Sequence, residues 1–173
     1  MEIFKVEHVD THGGSIRAYV QKRGEKNTID KSVIDFLEKE RILGLDKFET
    51  YQKFATQINE SKEKIRAFTI KAKNEGKKII GYGAPAKATT LLNFYKINHE
   101  YIDYIIEDNP LKHGKTVPGV RIPIVSKQSL GNISPDYVYL LAWNFADEII
   151  KKNPSLIQNG AKFVIPSAEM KII

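Results

Sequence analysis

The chain has 173 residues, with 27 Lys and Arg against 21 Asp and Glu, a net charge of +6, and no Cys. That length suits one domain, or one domain with a helical appendage, and a core of this size folds without metals or disulfides. The missing Cys excludes disulfide frameworks, thiolate zinc sites, iron–sulfur clusters and cysteine nucleophiles.

Residues 3–9 alternate apolar and polar side chains, and residues 15–22 do the same. With Asp10-Thr11-His12-Gly13-Gly14 between them, they read as a hairpin or as neighbouring strands. Apolar runs here and elsewhere are too short to cross a membrane. Glu2, Lys5 and Glu7 interrupt any leader-like apolar segment, so the protein is expected to be soluble and cytoplasmic. A helix is expected over about 30–43, with Gly44 suited to its C-terminal cap. A second helix fits 46–75, with Asp46 as N-cap and Gly76 just past its end. Phe48, Tyr51, Ala55, Ile58, Ile65, Phe68 and Ala72 trace one face of it, interrupted only at Lys62. That face packs on the rest of the chain or forms a partner surface or dimer seam. The lysines between residues 22 and 78 are mixed with acids, as on a solvated helical surface, and no basic stretch is gathered with exposed aromatics. No nucleic-acid partner is expected.

From residue 77 short apolar strands alternate with helices, at 78–82, 86–95, 101–107, 120–125, 137–143, 146–152 and 161–165. This alternation predicts an α/β, Rossmann-like, mostly parallel sheet flanked by helices over 77–173. Residues 1–76 are expected to add an N-terminal β-hairpin and helical layer.

The strongest local signal is the run Ile79-Ile80-Gly81-Tyr82-Gly83-Ala84-Pro85-Ala86-Lys87. A strand runs into Gly-x-Gly-x-x-Ala and a helix, the glycine-rich turn of nucleotide-binding α/β folds. Glycines let a phosphate approach the backbone, and a helix N-terminus offers N–H groups and partial positive charge. Pro85 suits a first helical turn, and Lys87 places a cation beside a diphosphate. The alternative is that the glycines only permit close packing, with Lys87 in solvent. The turn is not a P-loop, because Ala86 fills the required Gly position and Ala88 follows Lys87.

Strand 101–107 ends in Glu107-Asp108-Asn109-Pro110, and Asp108 follows Gly83 at roughly the spacing of a ribose-binding acid. An ordinary turn acid is the competing reading. Lys112 lies in the next loop. A second constellation, His12-Gly13-Gly14-Ser15 with Arg17, combines glycine amides, a His donor and a guanidinium able to fork onto a phosphate or carboxylate. Trp143-Asn144 follows a strand at the sheet's carboxyl edge, where the lone Trp can stack on a base or pack in the core. The four His residues show no ligand spacing, and no metal site is expected.

Taken together, His12-Gly-Gly-Ser-x-Arg17, Gly81-Tyr-Gly-Ala-x-Ala-Lys87, Leu91-Leu-Asn93, Asp108-Asn-Pro-x-Lys112-x-Gly114, Pro118-Gly-x-x-Ile-Pro123 and Ala142-Trp-Asn144 resemble the C-terminal domain of the sugar C-methyltransferases. Those enzymes act on nucleotide-linked deoxysugars. The resemblance implies a zinc-binding N-terminal part and a central S-adenosylmethionine domain carrying the catalytic base, neither contained in this chain. This third domain would help bind the nucleotide-diphosphate sugar.

It carries binding roles to Gly81, Tyr82, Gly83, Ala84 and Lys87, then to Asp108, Trp143 and Asn144. His12, Gly13, Ser15, Arg17 and Lys112 would line a cleft. No catalytic residue carries over, and the isolated chain is expected to be inactive in methyl transfer. No cofactor is expected in this chain itself. The implied partners are the nucleotide-diphosphate sugar and a catalytic methyltransferase domain in cis or trans, and a homo-oligomer is compatible with the pattern. Two other classes remain open: an independent NAD-type enzyme, and an oligomerisation module built around helix 46–75.

Overall fold

The structure, a computed structural model, describes residues 1–11, 14–130, 134–167 and 169–173. It forms two compact units, Met1–Thr56 and Gln57–Ile173.

The N-terminal unit begins with the expected hairpin. β1 (Glu2–Val9) pairs antiparallel with β2 (Ser15–Gln21), from Glu2 opposite Gln21 to Val9 opposite Ser15. Helix α1 (Lys31–Ile42) is capped by Asp30, whose side chain accepts from the Ser32 N–H at 2.8 Å. The same Ser32 hydroxyl accepts from the Val6 N–H at 3.0 Å and ties the helix to β1. Gly44, at φ 66°, ends α1: its N–H reaches the Arg41 carbonyl and the Leu45 N–H reaches Glu40, both at 3.0 Å. This paired closure needs a left-handed residue, which glycine adopts without steric cost. The turn consumes residues 43–46, so α2 (Phe48–Asn74) starts at Phe48, and Asp46 lies before the cap position expected for it. Gly76 ends α2 by the same bonding pattern, Gly76 N–H to Lys73 and Lys77 N–H to Ala72.

The C-terminal unit is built on a six-stranded sheet in the order β5-β4-β3-β6-β7-β8. Its strands are β3 (Ile79–Tyr82), β4 (Ile105–Ile106), β5 (Ile124–Val125), β6 (Tyr137–Leu140), β7 (Lys162–Ile165) and β8 (Lys171–Ile172). The first five run parallel, and β8 pairs antiparallel on β7. Helix α3 (Ala86–Tyr95) follows β3, while α4 (Ala146–Lys152) and α5 (Pro154–Gln158) lie between β6 and β7.

Alternate residues of each strand face opposite ways, which gives the sheet two apolar faces. Ile79, Ile105, Tyr139 and Val164 pack in one cluster with Ile65 and Ala72 of α2 and Leu92 of α3. Ile80, Ile106, Val138, Leu140 and Phe163 pack in the other with Ala146 and Ile149 of α4 and Leu156 of α5. Two polar residues of α2 are buried and satisfied, Thr69 at the sheet and Ser61 at α3. Thr69 Oγ1 donates to the Ile65 carbonyl at 2.7 Å and lies 2.6 Å from the Tyr139 hydroxyl, and Ser61 Oγ lies 3.2 Å from the Tyr95 hydroxyl.

Several strands are shorter than their apolar runs. Tyr101 and Ile102 N–H groups both turn back to the Asn98 carbonyl at 3.1 Å, so run 101–107 begins as a turn and only Ile105–Ile106 forms the strand. Gly119 at φ 82° and Arg121 at φ 57° hold the start of run 120–125 out of the sheet. Residues Trp143–Phe145 form a 3-10 turn instead of extending β6. α5 and β8 have no counterpart in the sequence reading.

Candidate ligand-binding site

The strand order reverses at β3. The chain steps outward through β4 and β5, then returns to place β6 on the other side of β3. Open α/β sheets bind ligands in the crevice outside the carboxyl ends of the strands at such a switch point. β3 runs straight into the glycine turn here, and the two glycines are packed hard. A Cβ on Gly81 would lie 2.7 Å from Ile105 Cγ1 and 3.0 Å from Leu141 Cδ1. A Cβ on Gly83, at φ 81°, would lie 2.6 Å from Ala142 Cβ. Both glycines therefore press the turn onto β4 and the chain leaving β6. Pro85 takes the cap position of α3, at ψ 163°, one residue before the helical turn foreseen for it.

The turn's amides are already engaged. Gly83 N–H donates to the Ile106 carbonyl at 2.7 Å, and Ala84 N–H donates to Glu107 Oε2 at 2.8 Å. Glu107 is the hub, a role that sequence reasoning missed although it immediately precedes Asp108 at the strand end. Its Oε1 accepts from the Asn109 N–H at 3.0 Å, and Lys112 Nζ bonds both Oε2 at 3.1 Å and the Ala84 carbonyl at 3.0 Å. Burial works against the carboxylate. The Asn109 and Ala84 N–H groups and the Lys112 ammonium outweigh it and hold the Glu107 pKa below the ordinary glutamate value. A further anion at this amide would have to displace Glu107.

Beside the turn lies a cavity of about 310 Å³, walled by Tyr82 of β3 and Gly83 of the turn, Glu107, Asp108 and Lys112 after β4, and Phe145, Glu148 and Lys152 after β6. Tyr82 donates its hydroxyl to Asp108 Oδ1 at 2.9 Å, and burial raises the Tyr82 pKa, so the hydroxyl stays protonated as a donor. Lys152 Nζ bonds Glu148 Oε1 at 2.6 Å across one turn of α4. The wall thus offers carboxylate acceptors, two ammonium groups and the exposed ring of Phe145.

Lys87, Trp143 and Asn144 form a separate cluster. Lys87 Nζ lies 3.8 Å above the centroid of the Trp143 ring and donates to Asn144 Oδ1 at 2.8 Å. Burial pulls its pKa down. The attraction of an ammonium for an indole face accounts for the arrangement. Lys87 and Trp143 border a second, apolar groove of about 470 Å³ with Ile58, Leu91, Phe94 and Tyr95. The expected binding residues of the C-terminal unit therefore fall into two groups: Tyr82, Gly83, Asp108 and Lys112 around the first cavity, and Lys87 and Trp143 at the second, with Asn144 hydrogen-bonded to Lys87. Gly81 is buried under Ile105 and Leu141, and Ala84 joins the first group through its backbone.

Residues 10–167 match the family described as the C-methyltransferase C-terminal domain. The chain belongs to that family. It is also 34% identical over 173 residues to the C-methyltransferase NovU of Streptomyces niveus, an alignment spanning all of this chain and 41% of that protein.

Two of the motifs in this C-methyltransferase C-terminal domain prove to be one structural lock. Asn93 Nδ2 donates to the Thr89 carbonyl at 2.8 Å and the Pro118 carbonyl at 3.0 Å, and its side chain fills the space where Gly119 would carry a Cβ. Asn109 caps a short 3-10 turn over Pro110–Lys112 that aims Lys112 back at the glycine turn. In the N-terminal unit, Ser15 Oγ donates to the Thr11 carbonyl at 3.1 Å, and Arg17 lies 3.8 Å from Glu7 on the hairpin. His12 and Gly13 lie outside the described residues. Among the described residues no group of three His, Cys, Asp or Glu side chains is placed to hold a metal, and no helix is long and apolar enough to cross a membrane.

Proposed function

We propose that this domain binds the nucleotide-sugar substrate of an S-adenosylmethionine-dependent sugar C-methyltransferase, in the cavity at the carboxyl ends of β3, β4 and β6. The observation that carries the reading is the Tyr82–Asp108 pair on that cavity's wall at the switch point. With one Asp108 oxygen engaged by Tyr82, the second is oriented to accept hydroxyls of a ribose or hexose. Lys112 and Lys152 supply cations for the diphosphate, and Phe145 supplies a flat apolar surface for a base. By helix geometry, the Ala86 and Lys87 N–H groups in the first turn of α3 lack intrahelical acceptors and are suited to a phosphate oxygen.

Methyl transfer itself is assigned to no residue of this chain. S-adenosylmethionine supplies the methyl group where it binds, and no residue of this chain is assigned to hold it. A thiolate zinc site does not fit, because the sequence has no Cys, and among the described residues no three His, Asp or Glu side chains are placed to hold a metal. Both groups belong to the remainder of the family's architecture, in cis or in trans. The relative's additional length is consistent with that division.

Calorimetric titration of the parent and Asp108→Ala with thymidine diphosphate and with inorganic pyrophosphate tests the site. The variant should bind thymidine diphosphate about tenfold more weakly, the loss of one or two hydroxyl bonds to a charged acceptor. Pyrophosphate, which has no ribose, should bind both proteins alike. Equal losses for the two ligands would put Asp108 in a structural role. Binding of NAD but not of thymidine diphosphate would overturn the reading as a whole.

A further inference from the structure

The cavity at the switch point carries charges that do not balance. Among the described residues its wall holds three carboxylates, Glu107, Asp108 and Glu148, against two ammonium groups, Lys112 and Lys152. Each cation is already matched. Lys112 Nζ lies 3.1 Å from Glu107 Oε2, and Lys152 Nζ lies 2.6 Å from Glu148 Oε1. The two pairs differ in what an arriving ligand meets. Glu107 keeps the Ala84 and Asn109 N–H donors whichever way Lys112 turns, and its side chain is largely buried. Glu148 is 57% exposed and stands in the first turn of α4, one turn before Lys152. The helix beneath them is fixed. Ile149 packs in the apolar cluster under the sheet, and fully buried Asn153 donates to the Ile149 carbonyl at 2.7 Å. Glu148 above all, with Asp108 beyond it, holds the Lys152 pKa above the ordinary lysine value, so Lys152 stays an ammonium within electrostatic reach of both carboxylates.

We infer that Glu148 is a specificity-determining residue of this cavity: it admits the diphosphate diester of a sugar nucleotide and disfavours a diphosphate with a free terminal phosphate. The inference rests on the nucleotide-sugar reading of the cavity. A diphosphate bound there shares Lys152 with Glu148, so its charge is set against a carboxylate one helical turn away. A nucleoside diphosphate joined to a sugar carries a charge of about −2. The free nucleoside diphosphate ends in a phosphate monoester with a second pKa of about 6, and so carries roughly −3 at pH 8. That extra charge meets a wall whose carboxylates outnumber its ammonium groups, and charges a few ångströms apart near a protein surface repel measurably. Cleavage of the sugar–phosphate bond leaves the free nucleoside diphosphate, so this charge rule reserves the cavity for ligands that still carry their sugar.

Calorimetric titration with thymidine diphosphate, and with the same nucleotide methylated on its terminal phosphate, decides it. The ester has the charge of a sugar nucleotide without the sugar, so the probes differ by one charge and one methyl group. In buffer of low salt without divalent cations, at about pH 8, the parent should bind the ester roughly three- to tenfold more tightly. Glu148→Gln, once shown to unfold as cooperatively as the parent, should bring the two probes within about twofold, chiefly by tightening thymidine diphosphate. Glu148→Asp, which keeps the charge, should keep the preference, and added salt should narrow it in the parent. A parent that binds thymidine diphosphate as tightly as the ester would overturn the inference and leave the nucleotide-sugar reading intact. So would a Glu148→Gln variant that keeps the parent's ratio, including one that weakens both probes alike because Glu148 merely holds Lys152 in place. Binding of neither probe by the parent would refute the nucleotide-sugar reading, and the inference with it.

Discussion

Replacing Glu107 by Gln tests whether the glycine turn is held by a carboxylate. The two side chains have nearly the same size and shape, so packing is preserved and only the acceptor chemistry changes. In the parent, Oε1 takes the Asn109 N–H while Oε2 takes the Ala84 N–H and the Lys112 ammonium. A Gln amide has one acceptor oxygen, so in either orientation an NH₂ group faces a backbone N–H donor. The Glu107 side chain is only 12% exposed, which leaves water little room to compensate. Loss of one or two hydrogen bonds to a charged group should cost about 2–3 kcal/mol at pH 7. Urea unfolding should show this as a lower midpoint at unchanged slope. The pH dependence has a definite sign. The folded pKa of Glu107 lies below its ordinary value of 4.5, so its contribution is complete above that value and is lost as pH falls through the folded pKa. The gap between parent and variant should therefore persist to about pH 4.5 and close only below it. A cost under ~0.5 kcal/mol at pH 7, or a gap that closes near neutrality, would refute the role given to this carboxylate.

Gly83→Ala should cost about 2–4 kcal/mol, because a Cβ there meets Ala142 and the residue is held at φ 81°; a thermal midpoint equal to the parent's would contradict the close packing. Burial pushes the Tyr139 pKa up to about 12, so its stabilising contribution is complete below the unfolded value of 10.0 and fades as pH rises through that window. Tyr139→Phe should accordingly flatten the alkaline loss of stability by up to roughly 2–3 kcal/mol in urea titrations from pH 9 to 12, and an unchanged alkaline slope would refute this. Lys112→Ala should weaken thymidine diphosphate binding about tenfold in low salt and less in high salt, whereas Lys87→Ala should change it less than threefold, because Lys87 is committed to Trp143 and Asn144. The reverse order of effects would move the diphosphate to the second groove.

The sequence by itself determined what depends on neighbours along the chain. Two-residue alternation marked the hairpin at 3–9 and 15–22, and Gly44 and Gly76 marked both helix ends, because a left-handed closure is a local requirement. Strand–helix alternation after residue 77 was enough for a mostly parallel, doubly covered sheet, and the ordered motifs were enough for the family. The extent of strands was less legible: an apolar run at 101–107 reports burial, whereas the ladder depends on where Asn98 turns the chain.

Only the tertiary structure decided which polar groups meet. Ala84 finds Glu107 across 23 residues, and Lys87 finds Asn144 across 57. Such pairings follow from the order in which strands enter the sheet, so the glycine turn that read as an open anion cradle carries a carboxylate of its own. The long apolar stripe of α2 likewise splits for a tertiary reason. Its later turns meet the sheet through Ile65 and Ala72, while Phe48 and Tyr51 remain in water, since periodicity records which residues share a face but not what lies opposite it.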